Sequence, residues 1–335
     1  TGNASTTTVT VNQTATATGA NATATVAGVV GYTAGAVNIL DANRASTTDA
    51  GTIETVTIKN AGVATVDSGA LKTLNLEGTI TSVNANSTTS KATVDTLALN
   101  LKGVSAGAVI ADADVKTLNV NSSTTASTLA NLTSAGATTV NVSGDAALTL
   151  TNNTFAAATA INVTNTAGVT FGTTAIAVGT TFTGGAGNDT IILAGAQTKA
   201  ITMGAGNDKV TYAGALGTGG SVAAGEGNDT IVMTVGQALL ADNDSTFNTT
   251  FTGFETLELN TSAAGTINLT GINGVSTVVM ATGVGHAIVL DNLVSNGKVK
   301  LNASATAGSL NIVVKDALLT NTDVLNLELS NTAIL

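Results

Sequence analysis

The sequence predicts an all-β protein coiled as a parallel β-solenoid (β-helix), and three observations predict it. A strand-like phrase, Thr-apolar-x-apolar, recurs at a period of about 21 residues along most of the chain. A glycine-rich phrase ending in Asn-Asp occurs three times at nearly the same period. The composition lacks the side chains that fill a wide core: the 335 residues hold no proline, cysteine or tryptophan, and aromatics make up 2%. A thin coil is filled by Val, Leu, Ile and Ala, so a narrow solenoid suits this chain better than one large core. An apolar fraction of 43% argues against disorder.

Taken in order, the first fifty residues alternate β-formers with small polar residues, as in Val9-Thr10-Val11-Asn12-Gln13-Thr14-Ala15-Thr16. Gly19, Gly28, Gly31 and Gly35 cut them into short strands, and nothing there reads as helix. From Ile53 the phrase takes over: Thr55-Val56-Thr57-Ile58, Thr73-Leu74-Asn75-Leu76, Thr96-Leu97-Ala98-Leu99, Thr117-Leu118-Asn119-Val120, Thr139-Val140-Asn141-Val142, then Ala160-Ile161-Asn162-Val163. Its first apolar residue advances by 18, 23, 21, 22 and 21 positions, from Val56 to Leu74, Leu97, Leu118, Val140 and Ile161. The two apolar side chains point inward and the residue between them outward. Asn75, Asn119, Asn141 and Asn162 should therefore form an exposed row whose amides bond from coil to coil.

The phrase returns as Thr256-Leu257-Glu258-Leu259, Thr277-Val278-Val279-Met280 and Lys298-Val299-Lys300-Leu301, spaced by 21 and 21. A leucine-rich repeat shares Thr-Leu-Asn-Leu, but its helices and leucine spacing are missing. The segment from Val235 to Phe254 departs from the period and reads as an insertion. It carries Asp242-Asn243-Asp244, either a further calcium site or a solvated loop.

Between these stretches lie the three glycine-rich phrases: Gly184-Gly185-Ala186-Gly187-Asn188-Asp189-Thr190-Ile191, Met203-Gly204-Ala205-Gly206-Asn207-Asp208-Lys209-Val210 and Ala224-Gly225-Glu226-Gly227-Asn228-Asp229-Thr230-Ile231. Glycines permit a tight turn, the aspartate sets a carboxylate at its end, and the β-branched residues that follow begin a strand. Asp189, Asp208 and Asp229 are 19 and 21 residues apart, one circuit of a small coil, so the turns should stack on one face. Stacked strands lie about 4.7–4.9 Å apart and a calcium–oxygen bond is about 2.3–2.6 Å, so a calcium ion fits between successive carboxylates. Two gaps suggest two ions. Without a cation, like charges about 5 Å apart repel by about 3 kcal/mol at an effective dielectric of 20, and the turns should loosen.

The formal charge of −10 excludes the positive field that nucleic-acid binding needs and suits a cation binder. Without cysteine, a secreted chain needs another staple, which calcium can supply. No apolar run near eighteen residues and no basic-apolar leader is visible, so neither a membrane span nor a signal peptide is expected. A chain opening on Thr1 and closing on Ala333-Ile334-Leu335 reads as an excerpt of a longer protein. Catalytic readings are weak. Gly103-Val104-Ser105-Ala106-Gly107 matches a nucleophile elbow, but no helix is expected after it and the one histidine, His286, reads as a turn residue. Asp112 and Asp114, spaced to share a strand face, are the nearest approach to a glycan-cleaving pair, yet aromatic sugar platforms are nearly absent. No enzyme is expected.

The glycine-rich phrases resemble the RTX nonapeptide G-G-x-G-x-D-x-U-x, with U a large aliphatic residue, which implies a calcium-binding parallel β-roll. The first copy fits every position, while Met203 and Ala224 replace the first glycine in the other two. The intervening segments, Gly195 to Lys199 and Gly217 to Ser221, carry no aspartate, so a calcium ladder is expected on one face only. On this reading Asp189, Asp208 and Asp229 are side-chain ligands, and Gly185, Gly187, Asn188, Gly204, Gly206, Asn207, Gly225, Gly227 and Asn228 offer turn carbonyls. More widely, the chain is similar to Caulobacter-type RTX surface-layer proteins, through Thr1 to Gly28, Val63 to Gly78, Thr139 to Gly144, Thr181 to Thr211 and Gly253-Phe254-Glu255-Thr256-Leu257. That resemblance implies type I secretion, folding at the cell surface, and calcium-driven assembly into a hexameric lattice. It also implies anchoring to lipopolysaccharide through a region outside this chain. An RTX adhesin or biofilm-matrix module is the alternative. The expected organisation is a solenoid over 1–172, an RTX calcium β-roll over 173–236 and a continuing solenoid over 237–335.

Overall fold

The computed structural model describes residues 5–13, 35–85, 94–261, 263–303, 308–316 and 322–330. Half of the first fifty residues read above as short strands lie outside them; within them, Thr8–Asn12 and Val37–Leu40 are strands. The fold is a parallel β-solenoid with very little helix, and it divides into two units, Thr1–Thr174 and Ala175–Leu335.

In the first unit, strands Thr117–Ser122, Thr139–Ser143 and Ala160–Val163 stack in parallel on one face. Strands Ser127–Thr133, Leu148–Thr154 and Val169–Phe171 stack on another. The long strand Thr96–Ala111 serves both faces, pairing first with Thr117–Ser122 and then with Ser127–Thr133. Period-2 alternation places Leu118, Val120, Val140, Val142, Ile161 and Val163 in the core, facing Leu129, Leu132, Leu148, Leu150, Val169 and Phe171. Strands on both faces of the coil, with no helix between them, make this a solenoid and not a leucine-rich repeat.

The asparagine row forms, with one correction. Asn162 Nδ2 donates to Asn141 Oδ1 at 2.9 Å, and Asn141 Nδ2 to Asn119 Oδ1 at 2.8 Å. Asn75 belongs to a different row. Thr73 lies opposite Ala98, not Thr96, which sets Asn75 beside Asn100 (2.8 Å) and Thr57 (2.9 Å). A slip of two residues keeps every apolar side chain on the inner face, so the pattern of the sequence does not mark it.

In the second unit, Thr190–Ile192, Lys209–Thr211, Thr230–Met233, Thr256–Leu259, Thr277–Met280, Lys298–Leu301 and Asn326–Leu329 form one unbroken parallel stack. The segment read as an insertion contains two short helices, Val235–Ala241 and Phe247–Thr250. Thr234 and Gln237 close a capping box at the first, each bonding the other's backbone N–H (3.1 and 2.8 Å). Val235, Ala238 and Ala241 face inward, and Phe247 stacks on Phe251 at 4.7 Å with Tyr212 against both edges.

If the amide row adds stability as its geometry implies, Asn141→Ala, which removes two side-chain bonds, should lower the unfolding free energy by about 1–2 kcal/mol. Asn162→Ala should cost about half as much. Urea melts of the two variants check this, and equal losses would show that the row is not the source.

Candidate metal centre

The three glycine-rich turns open successive strands of the second unit, and the register stacks them residue over residue: Thr190 on Lys209 on Thr230. Asp189, Asp208 and Asp229 are thereby brought together as the spacing predicts. Each aspartate lies two residues before a buried aliphatic side chain, Ile191, Val210 or Ile231, so it shares that residue's inward direction. The carboxylates accordingly lie inside the coil, no more than 1% exposed.

Two ladders run through the stack. Asp208 Oδ1 accepts from Asp189 N–H and Asp229 Oδ1 from Asp208 N–H, both at 2.7 Å. Beside them, Asn188 Oδ1 accepts from Asn207 N–H at 2.7 Å and Asn207 Oδ1 from Asn228 N–H at 2.8 Å. The glycines let the turns nest. Gly227 adopts φ 143°, and a Cβ there would lie 1.8 Å from the Gly206 carbonyl oxygen; at Gly225, φ is 108° and the Gly204 oxygen would be 1.9 Å away. The Gly185 carbonyl accepts from Ala205 N–H and the Gly204 carbonyl from Glu226 N–H. Met203 and Ala224, which replace the first glycine, are buried core residues.

The electrostatics of the ladder are unfavourable as it stands. Asp208 Oδ2 and Asp229 Oδ2 are buried and accept no hydrogen bond within the protein. Burial pushes the Asp208 carboxyl up to about 7; the N–H of Asp189 opposes this, and the charges of Asp189 and Asp229 add to it. Burial likewise pushes Asp229 up, with the charge of Glu255 contributing. Asp41, a fully buried carboxylate in the first unit, makes the contrast. Burial pushes it up too, but the N–H groups of Ile53, Asn43 and Thr52 and the Ser68 hydroxyl outweigh that and hold it below its ordinary value. Asp208 and Asp229 lack such a set of donors.

An oxygen-only donor set with buried, partnerless carboxylate oxygens is what a hard cation such as calcium takes. Among the described residues no three His, Cys, Asp or Glu side chains converge as a metal cluster. A bound ion would therefore take carboxylates from adjacent turns and complete its shell with backbone carbonyls such as those of Gly185, Gly187, Gly204 and Gly206. The donors present fit calcium in chemical kind.

One residue of the ladder was not assigned a role from the sequence. Glu255 Oε2 accepts from Asp229 N–H at 2.8 Å, continuing the series by one coil. The signal was there: Gly253-Phe254-Glu255-Thr256-Leu257 repeats the Gly-x-acid-x-apolar order of Gly227-Asn228-Asp229-Thr230-Ile231.

Other candidates fall elsewhere. Asp112 and Asp114 occupy a turn, with Asp112 Oδ1 accepting from Asp114 N–H at 2.9 Å, so they do not share a strand face. Gly103 to Gly107 lies within the strand Thr96–Ala111 and forms no elbow. His286 is an exposed bend residue. Asp242 caps the first helix and accepts from Asn268 N–H, and Asp244 accepts from Thr246. Among the described residues no helix is long and apolar enough to cross a membrane. No family model matches the chain, and no curated protein matches it.

The raised Asp208 and Asp229 carboxyls set a pH dependence for the calcium-free chain. Between the unfolded value near 3.8 and about 7 the native state binds more protons than the unfolded one, so stability falls as pH rises through this window and levels off above it. Asp41 acts in the opposite sense, losing its contribution only as pH falls below the ordinary carboxyl range. In chelator, the melting temperature should be lower at pH 8 than at pH 5, and Asp208→Asn should flatten that slope.

Proposed function

We propose that this chain is a non-catalytic structural subunit of a calcium-dependent bacterial surface layer, with calcium held between stacked Gly-rich Asn-Asp turns. The observation that carries the reading is the buried ladder of Asp189, Asp208 and Asp229, with the Oδ2 atoms of Asp208 and Asp229 partnerless. Such a stack is stable when a proton or a cation neutralises it, and at neutral pH outside a cell calcium is the abundant hard cation. Extracellular calcium modules bind at about 10⁻⁴–10⁻³ M, so the low free calcium inside a cell leaves the turns empty and the exterior fills them. Folding is thereby linked to export by type I secretion.

The amount of stabilisation is sufficient for that role. A site at a hundred times its dissociation constant adds about 2.7 kcal/mol, a large share of the net stability of a domain. The long, repetitive and aromatic-poor faces of the solenoid suit regular packing of identical copies, and the resemblance to RTX surface-layer proteins supports a hexameric two-dimensional lattice at the cell surface.

The test is a calcium titration of the purified chain, followed by circular dichroism, light scattering and electron microscopy. Native β-structure and ordered sheets should appear over the same calcium range, and Asp208→Asn should weaken the response and move it to higher calcium. Folding without ordered sheets would reassign the chain to an adhesin-type calcium roll. A signal indifferent to calcium would overturn the reading.

A further inference from the structure

The parallel register extends the carboxylate stack beyond the glycine-rich Asn-Asp turns. Thr230 lies opposite Thr256, which sets Glu255 beside Asp229. Its Oε2 accepts from Asp229 N–H at 2.8 Å, as Asp229 Oδ1 does from Asp208 N–H and Asp208 Oδ1 from Asp189 N–H, both at 2.7 Å. Asp189, Asp208, Asp229 and Glu255 thus form four successive rungs, the three aspartates buried and Glu255 half-buried. The series ends there, because Thr277 over Thr256 places Ser276 next in line, and its N–H and hydroxyl both donate to the Glu255 carbonyl.

The gap between the third and fourth rungs has the property that marks the other gaps. Asp229 is fully buried, and its Oδ2 accepts no hydrogen bond within the protein. Beside it stands a second carboxylate, Glu255, whose Oε2 lies 2.8 Å from the Asp229 N. A buried aspartate with an oxygen to spare, stacked on the half-buried Glu255, continues the arrangement that Asp208 and Asp229 form one coil earlier.

We propose that Glu255 is a cation ligand and that a third calcium position lies between Asp229 and Glu255. This rests on the calcium reading of the ladder, and a count of bound ions separates the two. With three gaps, Asp208 and Asp229 each border two ions; with two gaps, Asp229 is a terminal rung and borders one.

Calcium bound per chain is measured by equilibrium dialysis of the full chain against the metal alone, at saturation. Glu255→Gln keeps an oxygen for the Asp229 N–H while removing the charge, and should bind one ion fewer than the wild type. Asp208→Asn and Asp229→Asn should each bind two fewer. An unchanged count in Glu255→Gln overturns the proposal. So does a loss of one ion in Asp229→Asn against two in Asp208→Asn, a comparison that leaves Glu255 untouched and stands even if the glutamine variant does not fold. An unchanged count in Asp208→Asn instead overturns the calcium reading of the whole ladder.

Discussion

Parallel register is the constraint on which the rest of this structure depends. In a parallel coil each residue lies over its counterpart about 4.8 Å away, so a side chain placed at a repeated position meets its own kind. For apolar residues this is favourable without further arrangement, as in the column of Leu118, Val140 and Ile161. Asparagine carries both donors and acceptors, so Asn119, Asn141 and Asn162 bond to one another, the middle amide giving one bond and accepting one. An ionised aspartate has acceptors only. Stacking it satisfies one oxygen through a backbone N–H and leaves the other facing like charge.

The chain carries two solutions to a buried carboxylate. At Asp41, three N–H groups and a hydroxyl surround the anion, and it is held ionised by the protein alone. At Asp208 a single N–H approaches, and the carboxyl is pushed up instead. An uncompensated buried charge costs several kcal/mol, so the second arrangement makes the local fold conditional on something added. That condition arises from burial and register together. It needs no hinge, lid or second conformation, only strands that hold the carboxylates at a fixed spacing.

Much of this was legible in the sequence, because a solenoid writes its period and its inner face directly into the chain. The Thr-apolar-x-apolar phrase marked strands that the structure contains, and the Asn-Asp spacing placed three turns on one face. What escaped was information that leaves no trace in parity. The two-residue slip that sets Thr73 opposite Ala98 preserves the inward pattern, and moves Asn75 into another row while leaving it half-buried. The helices after Met233 carry one local signature, the Thr234–Gln237 capping box, within a stretch that has no strand period to set it against. Glu255 was hidden by its neighbour: Phe254 stands where the other turns have asparagine.

That insertion bears on how the ladder survives at its far end. From Asp229 to Glu255 the chain takes 26 residues, against 19 and 21 for the preceding coils. Extra chain in a coil would ordinarily be expected to shift the next strand. Here two helices take up the length, and Tyr212, Phe247 and Phe251, from a chain with very few aromatics, pack together inside it. Thr256–Leu259 consequently returns in register with Thr230–Met233. Only because that register is kept does Glu255 fall on the fourth rung, where its longer side chain reaches the same N–H that an aspartate reaches in the coils before. The aromatic cluster and the carboxylate ladder are thus parts of one arrangement, the first holding the geometry on which the charge of the second depends.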